Sequence, residues 1–318
     1  MNKSLNAVAE LVLNANFDDV CIVCHKNPDG DTIGSAFALH HALKKLEKKC
    51  FVFCSDPFPK KFEFITNEND APFVPKNVIT VDVASPSLIG NFEHNDKIKI
   101  AIDHHIISTI DAEICYCDPQ SASCSEIIFA LFPLLNVDYD EYTANALYVG
   151  LSTDTGCLRY SNTNKNCYLT AAVLSDYVKD KSFHKLNKLI FETKTKMQLS
   201  LEAFATKNVK YEPDEKTAVL VFTLNDKSAL GANDDELDCL INTIRLISGV
   251  TLAIVIKEKE ENVFRISVRS EDDINASLLC SRFGGGGHRA AAGCSINGKI
   301  DEIKEKLYKE ILILRKNV

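Results

Sequence analysis

Four short stretches of this sequence, rich in Asp and His, begin where strand-like or buried apolar runs stop. They are 25–31 with His25, Asp29 and Asp31, 81–82 with Asp82, 102–105 with Asp103, His104 and His105, and 152–156 with Asp154. This constrains the fold strongly, because the strand ends of an open α/β sheet converge on one crevice. The segments between them alternate β-like and α-like, the pattern of a mostly parallel sheet. Strand candidates are 20–24, 50–54, 78–83, 98–102 and 114–117; helix candidates are 32–48, 123–135 and 142–151. A charged, helix-compatible stretch without Gly or Pro, 182–209, then bridges to a region of different grammar. There the reading is a strand at 217–224, a helix at 235–248, a hairpin over 251–268, a short helix at 274–283, a glycine run and a last helix at 299–314. With 318 residues the chain can build two domains, each with its own core.

Read singly, an Asp after a strand is a helix cap or a turn residue. Gathered at successive strand ends, these residues read as one ligand set. His25, Asp29 and Asp31 are offset by four and two, with Pro28 and Gly30 favouring the turn, and Gly34-Ser35 is expected to open the next helix with an anion-favouring N-terminus. Carboxylates and imidazoles without a thiolate suit a divalent, oxygen-preferring metal better than a structural zinc. The set exceeds one coordination sphere, so two metals are the economical account. Two adjacent metals can clamp a phosphoryl group, which points to metal-assisted phosphoester hydrolysis.

A net charge of −8 argues against a broad basic surface for long duplex nucleic acid, but not against a small anionic substrate. Cys21 and Cys24 form a C-x-x-C inside a strand-like run, where alternation sends them to opposite faces; buried reduced thiols are expected rather than zinc or disulfides. The first nineteen residues lack the apolar core of a signal peptide, and no apolar run is long enough to cross a membrane, so a soluble cytoplasmic protein is expected.

The motifs HKNPDGDTIGS at 25–35, the isolated Asp82, IDHH at 102–105 and STDTG at 152–156 resemble the DHH phosphoesterase superfamily. SVRS at 267–270 and FGGGGHRAAAG at 283–293 resemble the associated DHHA1 domain. The order of motifs and the compact form are similar to the bacterial nano-RNases, bifunctional oligoribonucleases and 3′-phosphoadenosine 5′-phosphate (PAP) phosphatases. The resemblance implies a parallel-sheet α/β DHH domain at 1–185, a helical linker at 186–208 and a smaller α/β DHHA1 domain at 209–318, with the active site in the cleft between the domains. It also implies two Mn2+ per site: His25, Asp29 and Asp82 on one, and Asp31, Asp82, His104 and Asp154 on the other, with Asp82 bridging. Asp103 would orient an imidazole, and His105 would face the substrate phosphate or protonate the leaving oxygen. Arg269, Ser270, Gly284, Gly285, Gly286, Gly287 and His288 would hold the substrate's phosphate or 5′ end, with Arg159 a further phosphate contact.

The implied substrates are very short RNAs or dinucleotides such as pApA, and PAP; a homodimer is left open. Rival readings are a cyclic-di-AMP phosphodiesterase, a manganese-dependent inorganic pyrophosphatase and, outside enzymes, a nucleotide-binding regulator.

Overall fold

The computed structural model describes residues 3–271 and 274–316. The chain divides into two compact units between Thr193 and Lys194.

The first unit is a five-stranded sheet of β1 (Val20–Val23), β2 (Cys50–Phe53), β3 (Asn77–Val81), β4 (Ile98–Asp103) and β5 (Ile114–Cys117). The strands run in the order β2-β1-β3-β4-β5, and every pairing is parallel. Its helices are α1 (Leu5–Leu13), α2 (Gly30–Lys45), the single turn α3 (Glu63–Thr66), α4 (Cys124–Leu134), α5 (Glu141–Asp154), α6 (Lys165–Ser175) and the short α7 (His184–Asn187). Strands such as VCIV and NVITV are buried along their whole length, as a sheet covered on both faces requires. On one face Ile22, Ile79, Val81 and Ile100 pack with Phe37 and Leu43 of α2, Leu131 of α4 and Leu147 of α5. On the other, Cys21, Val23, Val78 and Ala101 lie under loop residues Ile89, Phe92 and Ile110. Cys21 and Cys24 fall on opposite faces, as the alternation requires. All twelve cysteines are free thiols.

The chain leaves β1 sideways to β2, then returns on β1's other flank to build β3, β4 and β5. The reversal creates a crevice beyond the carboxyl ends of β1 and β3, where doubly wound sheets bind ligands.

The second unit holds α8 (Lys196–Asn208), β6 (Lys210–Tyr211), β7 (Thr217–Phe222), α9 (Leu224–Leu230), α10 (Asp238–Ile244), β8 (Leu252–Glu260), β9 (Val263–Ser270), α11 (Ala276–Ser281), β10 (Gly286–Gly287), β11 (Ala291–Asn297) and α12 (Ile300–Lys316). Its sheet runs β10-β11-β9-β8-β7-β6; β7 and β8 are parallel and the other pairs antiparallel. Alternation along β8 sends Leu252, Ile254 and Ile256 into a core with α11 and α12, and Ala253 and Val255 into a core with α8 and α10.

The 186–208 stretch, expected as one helical linker, is built in two pieces. After α7 and a wider turn at Lys188–Glu192 the backbone is extended at Thr193 and Thr195. Thr195 accepts from the Gln198 N–H while the Gln198 side chain accepts from the Thr195 N–H, a capping box that starts a new helix. Leu201 and Ala205 of that helix are buried in the second unit's core, so α8 is part of that domain's packing. The helices α1 and α6 and the strand β11 are elements the sequence patterns did not announce.

Candidate metal centre

His25 lies just past β1, with its ring Nδ1 2.9 Å from the Lys26 carbonyl and its N–H donating to the Thr32 hydroxyl at 3.4 Å. Asp29 is the N-cap of α2: its Oδ1 accepts from the N–H groups of Asp31 (3.0 Å) and Thr32 (3.2 Å). The local reading of an Asp as a cap is true of it, and the cap leaves its carboxylate beside the His25 ring. The helix therefore begins at Gly30, and Gly34-Ser35, expected to open it, lie one turn inside. Gly34 has a packing role, since a Cβ there would strike the Ala146 carbonyl on α5, and one on Gly150 would strike Ser125 and Asp31. The absent side chains let α2 and α5 approach closely.

That approach positions Asp31, which is fully buried. Its Oδ2 accepts from the Cys124 N–H at 2.6 Å, and its Oδ1 from the Ser125 N–H at 2.9 Å and the Ser35 hydroxyl at 3.2 Å. The N-terminal amides of α4 thus hold the carboxylate, a favourable seat for an anion. Asp154 is the last residue of α5. A helix end, rather than a strand end, delivers it: α5 runs past Leu151, with the Thr153 hydroxyl donating back to Val149, and stops before Gly156, whose φ is 56°.

Asp82 follows β3 and occupies the left-handed region at φ 59°, its N–H donating to the Ile102 carbonyl at 3.0 Å. Its two oxygens face different imidazoles. Oδ2 is 3.5 Å from His25 Nε2, which is also 3.6 Å from Asp29. Oδ1 is 3.4 Å from His104 Nε2, which also lies 3.8 Å from Asp31 and 3.3 Å from Asp154. His104 Nδ1 is 3.2 Å from the Ser121 carbonyl, so both rings direct Nε2 inward. Asp103 Oδ1 accepts from the His104 and His105 N–H groups at 2.8 and 3.2 Å and pairs with His105 Nδ1 at 2.7 Å.

Electrostatics bind the cluster together. Burial opposes charge on Asp82, yet the His104 and His25 rings hold its carboxyl far below the usual carboxylate range. Burial likewise opposes the His104 cation, and Asp154 and Asp82 push it up to about 12. Burial and the Asp82 charge push the Asp31 carboxyl well up, and Asp154 rises to about 6, burial being the leading cause. The cluster therefore holds protons where cations would serve. Among the described residues Asp82 Oδ1 and Asp103 Oδ2 are buried and accept no hydrogen bond. Such orphaned carboxylate oxygens are costly unless a cation satisfies them. Donor atoms of His25, Asp29 and Asp82 lie within 4.8 Å of one another, and so do those of Asp31, Asp82 and His104. The residues fit divalent metal, with Asp82 common to both groups. The adjacent thiols of Cys24 and Cys124 are pushed well up by burial and stay protonated, outside the donor set.

In the second unit Arg269 and Ser270 end β9, with Arg269 opposite Ala291 in register and the Ser270 hydroxyl donating to the Arg289 carbonyl at 3.2 Å. The glycine run is a tight turn leading into β10: Gly284 has φ 74° and the Gly285 N–H donates to Cys280 at 3.0 Å. Cβ atoms on Gly285 and Gly287 would strike β11, whereas Gly284 and Gly286 face open space. Only the latter two leave room for a ligand; the other two serve the sheet. The His288 N–H donates to Ala291 at 2.8 Å in the turn to β11. Arg159, in the first unit, directs Nε to the Gly156 carbonyl at 2.6 Å and lies 6.0 Å from the Phe191 ring centroid.

Sequence reasoning missed the groups that aim these side chains: the Ser35 hydroxyl, read there only as part of a helix start, the Cys124 and Ser125 amides, and the Lys26 and Ser121 carbonyls. Most are backbone atoms, which no residue letter advertises.

Residues 19–151 match the DHH family, N-terminal domain, and residues 216–312 match the DHHA1 domain. The chain is 28% identical to the bifunctional oligoribonuclease and PAP phosphatase NrnA of Thermus thermophilus, over 97% of this chain and 94% of that protein. It is 27% identical to the protein of the same name from Bacillus subtilis, over 88% of this chain and 90% of that one. Its fold matches the crystal structure of an exopolyphosphatase-related protein from Bacteroides fragilis at a TM-score of 0.87, with 22% identity, covering 98% and 97% of the two chains. Among the described residues no helix is long and apolar enough to cross a membrane.

Proposed function

Since the chain belongs to the DHH/DHHA1 phosphoesterase superfamily, we propose that it is a manganese-dependent phosphodiesterase. Its substrates are very short RNAs or dinucleotides such as pApA, cleaved to mononucleotides, and PAP, which loses its 3′-phosphate. The observation that carries the reading is the division of Asp82, one oxygen toward the His25 and Asp29 group and the other toward the His104 and Asp31 group. His25, Asp29 and Asp82 would hold one ion, and Asp31, Asp82, His104 and Asp154 the other. A bound pair supplies Lewis acidity for the phosphoryl oxygens and eases deprotonation of water.

The chain's own groups do the rest. Asp103 fixes His105 through Nδ1; burial opposes the cation, but this carboxylate raises the imidazole's pKa overall. His105 is therefore suited to hold a proton on Nε2 and give it to the leaving oxygen. The α4 amides keep Asp31 aimed. Recognition falls to Arg269, Ser270, Gly284, Gly286 and His288, which would grip a terminal phosphate, while Gly285 and Gly287 let the turn lie against β11; the open space beside Gly284 and Gly286 suits close approach of backbone to ligand. The acidic net charge agrees with short substrates, because long strands call for a basic track.

The test is a panel of initial rates with manganese on dinucleotides, RNA trimers and tetramers, PAP, cyclic-di-AMP, pyrophosphate and long RNA. Dinucleotides should lead. Fastest turnover of pyrophosphate or cyclic-di-AMP would overturn the substrate assignment.

A further inference from the structure

We propose that Cys280 and Cys294 are a reversible oxidation site, closed to a disulfide by hydrogen peroxide, and that closure shifts the glycine turn held between them. Cys280 lies on α11 and Cys294 on β11, and both side chains are buried in one core. A buried thiol is ordinarily a small hydrophobe. Two features set this pair apart. The first is direct contact, since the two thiols hydrogen-bond each other. Other buried thiols donate to carbonyl oxygens, as Cys24 does to Thr32, Cys50 to His40 and Cys124 to Ile102. The second is what the pair encloses: the segment 281–293 carries the glycine run and His288. Gly285 is wedged between the two cysteines. Its N–H donates to the Cys280 carbonyl at 3.0 Å, and a Cβ on it would strike Cys294.

The pair is polarised for the reaction. Cys280 is the donor, and its thiol is pushed well up, first by the bond to Cys294 and then by burial. Accepting that bond draws the Cys294 thiol below its ordinary value against the cost of burial, with Arg265 helping. Cys294 is also the more accessible, 6% exposed against none for Cys280. It is therefore the nucleophile. The Cys294 sulfur attacks one peroxide oxygen, the O–O bond breaks, and the departing hydroxide takes up the Cys294 proton as water. The Cys280 sulfur then attacks the resulting sulfenic acid, the S–O bond breaks, and the Cys280 proton leaves with that hydroxide as a second water. Two thiols are oxidised and one peroxide is reduced. Hydrogen-bonded sulfurs must close to about 2 Å to bond. That draws the end of α11 toward β11, where Gly285 leaves no room for even a methyl group. The turn must move. Resting on the reading that Arg269, Gly284, Gly286 and His288 grip a terminal phosphate, oxidation then loosens that grip.

The experiment treats the full chain, reduced and without added metal, with hydrogen peroxide, removes the excess with catalase and maps peptides by mass. The expected product is a linked pair of peptides carrying Cys280 and Cys294, lighter by two hydrogens and reopened by dithiothreitol. The Gly285 and His288 amides, which donate to Cys280 and Ala291, should exchange with solvent faster after oxidation and slow again on reduction. With manganese, KM on a dinucleotide should rise on the order of 10-fold, as for the loss of one contact, and dithiothreitol should restore it. Cys280→Ala and Cys294→Ser should form no link and keep their KM under peroxide, with thermal unfolding as a check that each folds. Links among other cysteines only, over-oxidation without a link, or a link that leaves either the turn amides or the KM unmoved would each overturn the proposal. A reduced chain inactive on dinucleotides would instead count against the substrate reading, and the mass and exchange measurements would still decide the oxidation site.

Discussion

At Asp82 the backbone turns left-handed (φ 59°), a conformation that costs a residue with a side chain and is retained where the surroundings over-determine it. What over-determines it is the demand that one carboxylate face His25 and His104 at once. Asp82→Ala should therefore remove metal from both donor groups and lower turnover by roughly 10³-fold, as several kcal/mol of transition-state stabilisation imply. Metal analysis of the purified variant decides it; near-normal turnover would refute the bridging role. Asp103 acts one step away, through His105. Asp103→Asn should keep metal content and cut turnover by about 10- to 100-fold. The sign of its pH effect is fixed: burial opposes the His105 cation and the carboxylate supports it, so the present balance holds the pKa above its ordinary value. Without that support the pKa falls, and the alkaline limb of the rate profile should move to lower pH. An unmoved limb would assign the proton to another group.

Among the elements, the α2–α5 contact brings Asp31 and Asp154 into one cluster around His104. Gly34→Ala puts a methyl into the Ala146 carbonyl and should destabilise the first unit by about 1–3 kcal/mol in urea unfolding. Gly286→Ala meets open space and should leave stability unchanged, so any activity lost there belongs to substrate. The start of α5 offers a test by pH. Asp140 caps Thr143 at 2.9 Å and pairs with Lys45 at 2.7 Å; burial raises its carboxyl, but these partners win and hold it below its ordinary value. A depressed carboxyl contributes stability above its unfolded pKa and loses it as pH falls through the folded pKa. Asp140→Ala should cost about 1 kcal/mol near neutral pH. The gap to wild type should begin to narrow once pH drops below about 4 and close only as pH falls through the depressed folded pKa. A gap constant with pH would show that the cap works through packing rather than charge.

At the scale of the whole molecule there are two units with separate cores: the first gathers the residues that could hold metal, and the second holds Arg269, His288 and the glycine turn. If the second unit grips a terminal phosphate, substrate length is measured from there. Dinucleotides to tetramers should then outpace long RNA. Arg269→Ala or His288→Ala should raise KM on dinucleotides, costing about 1.5–3 kcal/mol in kcat/KM, the worth of a charge-assisted phosphate contact. Rates on a set of lengths measure this. Equal rates on a small artificial phosphodiester and on a dinucleotide, with both variants silent, would leave the metal chemistry intact and remove the second unit's role as a ruler.

The parallel first sheet was legible in the residues because a strand buried on both faces must be apolar throughout, and a polar residue at its end stands out. His25, Asp82, Asp103 and His104 were visible for that reason. The glycine motif was visible as composition, but only the fold distinguished Gly285 and Gly287, which clear β11, from Gly284 and Gly286, which face open space. The helix before Asp154 was legible at 142–151 but read as ending short of Asp154, because Ser and Thr after Leu151 read as a helix stop until their hydroxyls bond back to the preceding turn. The break at Thr193 and Thr195 was hidden in a stretch without Gly or Pro, since a capping box is a pattern of hydrogen bonds and Thr is common everywhere. Neighbours in the chain hold His25, Asp29 and Asp103, whereas the aim of Asp31 and His104 was decided by tertiary structure. The Cys124 and Ser125 amides and the Ser121 carbonyl, brought from other parts of the chain, set that carboxylate and that ring, and a residue's letter says nothing of its backbone's direction.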